Sequence, residues 1–142
     1  MRNDNTTEYV DVASDLISKG LKDLPKYNDI VYRGTHLSKK KFNELYLSHV
    51  GGVIEEKAFT STSPSKDIPM QFLLYDGIPK NHVKILFEIH GKNGRDISKI
   101  SEFNGIFTET NQKEVLFDKR TKFILKKTEI RNGIYEIRME DL

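Results

Sequence analysis

Near the end of the chain, Lys122-Phe123-Ile124-Leu125-Lys126-Lys127-Thr128-Glu129-Ile130 and Ile134-Tyr135-Glu136-Ile137-Arg138-Met139 flank the pair Asn132-Gly133. Asn-Gly accepts positive φ at both central positions of a two-residue turn, and the flanking runs are rich in β-branched and aromatic residues, so this stretch predicts a β-hairpin. Upstream, Val115 to Phe117 reads as a short strand and His82 to His90 as the clearest strand of the chain. In the latter, Val83, Ile85, Phe87 and Ile89 share one face and His82, Lys84, Glu88 and His90 the other, with Leu86 the one apolar exception.

The first half reads differently. Tyr9, Val12, Ala13, Leu16, Ile17 and Gly20 follow helical spacing, with Asn5 as N-cap and Pro25 closing the segment. Ile30 to Arg33 predicts a short strand ending at Gly34. Ser38 to His49 predicts a second helix that buries Phe42, Leu45 and Tyr46 and stops at Gly51-Gly52. Ala58 to Ser63 is a short β-like piece broken by Pro64, and Ser65 to Tyr75 a further short helix. Helices come early and strands late, which predicts an α+β domain rather than alternating βαβ units.

The 142 residues are enough for one domain with a core and too few for two ordinary ones, so residues 1–142 are read as a single domain. The formal net charge of +2 implies no strong polyelectrolyte field, so nucleic acid is not demanded as a partner. Without cysteine there is no disulfide, thiol nucleophile or thiolate metal site. No run approaches the roughly 18 apolar residues of a membrane span, and Met1 to Thr7 lacks the apolar stretch of a signal peptide. His36, His49, His82 and His90 show no metal-ligand spacing, and no metal is expected. Walker-type, Gly-x-Ser-x-Gly and Rossmann signatures are missing.

Three short elements remain: Val31-Tyr32-Arg33-Gly34-Thr35, Phe59-Thr60-Ser61-Thr62-Ser63 and Gln112-Lys113-Glu114-Val115-Leu116-Phe117. Each has an ordinary reading alone: Arg33 as an ion-pair partner, Ser61-Thr62-Ser63 as strand or turn, Glu114 as a solvated strand residue, Gln112 as loop polarity. Lys39-Lys40-Lys41 and Lys126-Lys127 are most simply solvated faces, although the first group could serve an acidic partner. In this order, the three elements resemble the Arg, Ser-Thr-Ser, Gln-x-Glu signature of the toxin-type mono-ADP-ribosyltransferases. The likeness runs from about Ile30 to Lys127 and includes an Ile-Ser segment ahead of the glutamate, at Ile97-Ser98 or Ile100-Ser101.

The resemblance implies two small, mostly antiparallel sheets packed face to face, helices flanking the first, and NAD as substrate in the cleft between them. It implies that Glu114 supports the positive charge that grows on the ribose as nicotinamide leaves, with Ser61 orienting it. Arg33 is the expected clamp for the pyrophosphate, with Gly34 allowing close backbone approach and Thr62 and Ser63 supporting the site. Gln112, two residues before Glu114, faces the incoming nucleophile. In the family, glutamate there accompanies arginine-modifying enzymes, whereas glutamine resembles the clostridial Rho-inactivating exoenzymes, which modify asparagine. The expected acceptor is therefore a protein side chain other than arginine, with a small GTPase among the candidate targets and a nucleic-acid base the weaker alternative. NAD glycohydrolysis, or an inactive NAD-binding module, are the rival readings. Glu102 to Asn111 corresponds to the target-recognition loop, where Phe103 and Phe107 are candidate contacts and equally candidate core anchors. The family further implies a monomeric toxin or effector, secreted or delivered into a target cell and acting in its cytosol.

Overall fold

In the computed structural model the structure is described for residues 4–98 and 114–142, with side chains from Val12 onward. Nine strands form two sheets among these residues. The four-stranded sheet places β1 (Lys26–Tyr27), β6 (Gly94–Asp96), β7 (Val115–Phe117) and β4 (Thr60–Thr62) side by side. The five-stranded sheet places β2 (Ile30–Ser38), β5 (His82–His90), β9 (Ile134–Asp141), β8 (Thr121–Arg131) and β3 (Val53–Glu56) in that order. The pairings described are antiparallel except β5 with β9, which is parallel. The helices are α1 (Asp4–Leu21), α2 (Lys39–Leu45) and α3 (Asp67–Leu73), and a 3-10 turn covers Leu47–His49. The α+β class and the two mostly antiparallel sheets are as the sequence and the resemblance predict.

The late strands form where the sequence places them. Asn132 and Gly133 take φ of 51° and 77°, the double positive-φ turn that their side chains permit, and Arg131 pairs with Ile134 across it. Ile85, Phe87 and Ile89 of β5 are buried on the inner face together with Phe123, Leu125, Ile137 and Met139. Val115 and Phe117 of the other sheet join the same cluster, and the Phe117 and Phe123 rings meet edge to face at 5.3 Å. Leu86, the apolar residue on the wrong face of β5, is buried because α3 lies over that face. It packs there with Leu73 and Ile134, so the strand is covered on both sides. Pro69 is compatible with α3 because it is the third residue of the helix, in the first turn, where an amide has no acceptor within the helix.

The structure corrects several expectations. β2 does not end at Gly34 but runs on to Ser38, paired with β5 along its whole length, from Ile30 opposite His90 to Ser38 opposite His82. The helix expected over Ser38 to His49 is two pieces. Ser38 caps α2 by accepting from the Lys41 amide, Tyr46 then leaves helical geometry at φ −130°, and the 3-10 turn follows. Phe42 is buried as predicted, but Leu45, the last residue of α2, is 48% exposed. Strands β1, β3 and β6 were not anticipated, since two to four residues are too few to show a period. α1 forms as an amphipathic helix, yet Val12, Leu16 and Ile17 are exposed. Its described side chains hold the sheets through buried Leu21, the Ser18 hydroxyl on Asp118 at 2.6 Å and an Asp15–Lys119 ion pair.

Asp141 closes the C-terminal strand. It is 1% exposed, and its carboxylate accepts from the Lys92 and Asn93 amides, both at 2.9 Å, and from Asn93 Nδ2 at 3.0 Å. It thus fastens the turn between β5 and β6, which joins one sheet to the other. Replacing Asp141 by Ala is expected to cost about 2 kcal/mol, because hydrogen bonds to a charged acceptor are lost and water must satisfy the freed donors. A fall of roughly 4–8 °C in the thermal unfolding midpoint would show it; an unchanged midpoint would mean that the turn does not need this anchor.

Candidate active site

Among the described residues, the two sheets are joined at their margin by one backbone bridge, in which the Tyr32 amide donates to the Ser63 carbonyl at 2.7 Å and the Ser63 amide to the Tyr32 carbonyl at 2.9 Å. The next residue of β2 is Arg33, and strand alternation puts it on the inner face with Val31. Its Nη1 donates to the backbone carbonyl of Ser61 at 3.0 Å. On β4, Thr60 and Thr62 turn into the protein and are buried, which leaves the Ser61 side chain on the opposite, half-buried face. There the Ser61 hydroxyl donates to Oε1 of Glu114, the residue immediately before β7. Arg33, Ser61 and Glu114, far apart in sequence, are therefore linked in series across the seam between the sheets.

The supporting contacts are local and explicit. Thr62 Oγ1 donates to the Val115 carbonyl at 2.7 Å, which locks β4 to β7 beside the pair. The Ile97 amide donates to the Glu114 carbonyl at 3.0 Å, which sets Ile97 beside the glutamate. Ser63 Oγ accepts from the Ser65 amide at 3.1 Å and turns the chain at Pro64. Gly34 faces the other way, under α3. A Cβ there would come within 3.0–3.2 Å of Pro69 O, Pro69 Cβ and Leu73 Cγ, so close packing under α3 favours a glycine at this position. Gln112, Phe103, Phe107 and the alternative Ile100-Ser101 lie outside the described residues.

Two further residues share the site that sequence reasoning did not assign to it. Tyr46, beyond α2, stacks obliquely on Phe87 with centroids 4.9 Å apart, and Phe87 is the residue opposite Arg33 in the β2–β5 register. The Tyr46 hydroxyl donates to Glu56 Oε1 at 2.8 Å. Burial pushes this phenol above its ordinary range and the neighbouring Glu56 pushes the same way, against the Arg33 guanidinium, so it stays a protonated donor through the physiological range. Nothing in the sequence marks the pair. A tyrosine after a short helix and a glutamate ending a four-residue strand carry no pattern of their own.

Chemically, the site offers a carboxylate oriented by a hydroxyl and a guanidinium anchored by one of its five N–H groups, the others bonded to nothing among the described residues. The model of the ADP-ribosyltransferase exoenzyme family matches residues 3–141. The chain belongs to this family. Among curated members it is 30% identical over 115 residues to Vis of Vibrio splendidus, provisionally named an NAD(+)–arginine ADP-ribosyltransferase, covering 80% of this chain and 43% of Vis. It is 30% identical to the mono(ADP-ribosyl)transferase SpvB of Salmonella typhimurium over 109 residues, 75% of this chain and 16% of SpvB. The chain thus spans less than half the length of these exoenzyme relatives. A crystal structure of Vis with agmatine superposes at a TM-score of 0.70 and 27% identity, over 91% of this chain and 56% of that one. The relatives matched are Vis, SpvB and their like, so the clostridial branch suggested by Gln112 rests on that residue alone.

Proposed function

We propose that this exoenzyme-family chain transfers ADP-ribose from NAD to a protein side chain and releases nicotinamide. The observation that carries the reading is the series Arg33–Ser61–Glu114, in which the strands themselves hold a cation and an oriented carboxylate on either side of one serine. The remaining N–H groups of Arg33 suit the pyrophosphate, and Glu114 suits the ribose. As the bond from ribose C1′ to nicotinamide nitrogen breaks, its electron pair leaves with nicotinamide and neutralises the pyridinium. Positive charge then spreads over the ribose C1′ and ring oxygen, where a fixed carboxylate lowers the barrier. The acceptor donates a lone pair to C1′ and gives up a proton. Ser61, Thr62 and Ser63 hold the carboxylate's position through their bonds to Glu114, Val115 and the turn at Ser65.

For the acceptor we infer a neutral side chain, such as an amide or hydroxyl, in a protein of the target cell. Gln112 supports this by its chemistry: a neutral amide offers hydrogen bonds to such a group but no counter-charge to a guanidinium. The names of Vis and Mav point to arginine for those proteins, so agmatine, a guanidine, is the discriminating probe. The wild-type chain is expected to leave agmatine unlabelled, and Gln112→Glu to gain the labelling. Labelled agmatine in the wild-type reaction would reverse the assignment. With labelled NAD and a cell lysate, a labelled protein is expected; free ADP-ribose without any labelled macromolecule would make the chain a glycohydrolase instead.

A further inference from the structure

At the far end of β2 from the bridge, the register sets Ser38 opposite His82 and gathers the start of α2, the end of α3 and the start of β5. Lys39, Lys40 and Lys41 occupy the first turn of α2, all exposed, and Lys80 and Lys84 flank His82. His36 and His82 are in contact through their Nδ1 atoms at 2.8 Å. Among the described residues, none of these five lysines has a carboxylate within 4.0 Å, although Glu44 and Asp76 sit on the same segments. The lysine triplet also opposes the partial positive charge of a helix N-terminus, where an acidic residue would be favourable and none is present. An apolar side chain borders the histidine pair at this same end. Phe72 lies on the His36 ring with centroids 5.9 Å apart and is 45% exposed, and Leu74 and Tyr75, within one turn of it, are 65% and 67% exposed.

We propose that this end of the molecule docks on an anionic lipid bilayer. The lysines would meet the lipid headgroups, and Phe72, Leu74 and Tyr75 would seat at the boundary between headgroups and acyl chains. An acidic polypeptide would need only the cations, and a nucleic acid would use the aromatic rings but leave Leu74 in water. A bilayer surface uses all three kinds of side chain at once. With a net charge of only +2, the attraction is local to this patch and so fixes an orientation. Arg33 lies five residues back along β2, roughly 16 Å away, on the inner face of the sheet, so docking leaves the NAD site open.

Flotation with vesicles tests this. The chain is expected to partition onto phosphatidylcholine vesicles carrying phosphatidylserine, not onto phosphatidylcholine alone, and to be released by salt. Lys39→Glu/Lys40→Glu/Lys41→Glu should lower partition at least tenfold, Leu74→Ser/Tyr75→Ser should lower it too, and NAD cleavage should be unchanged in both. Should the triplet variant unfold, Lys80→Glu/Lys84→Glu carries the same expectation. No phosphatidylserine-dependent partition, or partition indifferent to charge reversal, overturns the proposal. So does tighter binding to polyglutamate or an oligonucleotide that ignores Leu74→Ser/Tyr75→Ser, or self-association through the patch. Because NAD cleavage is read separately, a failure here is distinct from a failure of the proposed transfer.

Discussion

Glu114→Gln should leave the protein folded and lower the rate of NAD cleavage by a factor of at least about 10², or about 2.7 kcal/mol in the barrier. The amide keeps the size of the carboxylate and an oxygen that can still accept from Ser61, so the strand ends around it need not move. Only the negative charge beside the ribose is lost, and its value lies in the transition state rather than in binding. The loss should therefore fall on kcat with KM for NAD little changed. A variant with the wild-type rate of nicotinamide release and an unchanged unfolding midpoint would end the assignment of Glu114. Ser61→Ala is expected to act in the same direction with a smaller effect, since it removes the orienting bond and not the charge.

Arg33→Lys should show the opposite division. Lysine preserves the charge but replaces a planar fork of donors with a single ammonium. It therefore loses the ability to hold the Ser61 carbonyl and a phosphate oxygen at once in fixed directions. KM for NAD should rise by at least about tenfold while kcat stays within a fewfold, as expected of an interaction made equally in ground and transition states. A near-normal KM would show that any cation suffices and that the bond to Ser61 is incidental.

Much of this arrangement was legible because the residues that build it obey short-range rules. The Asn132-Gly133 turn, the alternation in His82 to His90 and the apolar run after Glu114 each state their structure locally. Arg33, Ser61 and Glu114 were found by type and order, and the strands bring them together. Other features were hidden for definite physical causes. Gly34 looks like a strand terminator because glycine often is one, and only the packing of Pro69 and Leu73 shows it as a mid-strand residue under a helix. Leu86 breaks the period of β5 until α3 is seen to cover it. Leu45 matches a helical stripe, yet as the last residue of α2 it stays exposed. The Tyr46–Glu56 bond joins the residue after α2 to an edge strand of the five-stranded sheet, a contact that no local pattern encodes.

The bridge between Tyr32 and Ser63 has a mechanical consequence. Any swing of one sheet against the other has its pivot where the backbones are tied, and displacement grows with distance from the pivot. Arg33 is one residue from that point along β2 and Ser61 two residues along β4. The tie thus fixes the spacing of these two residues, as a rivet fixes the gap beside it.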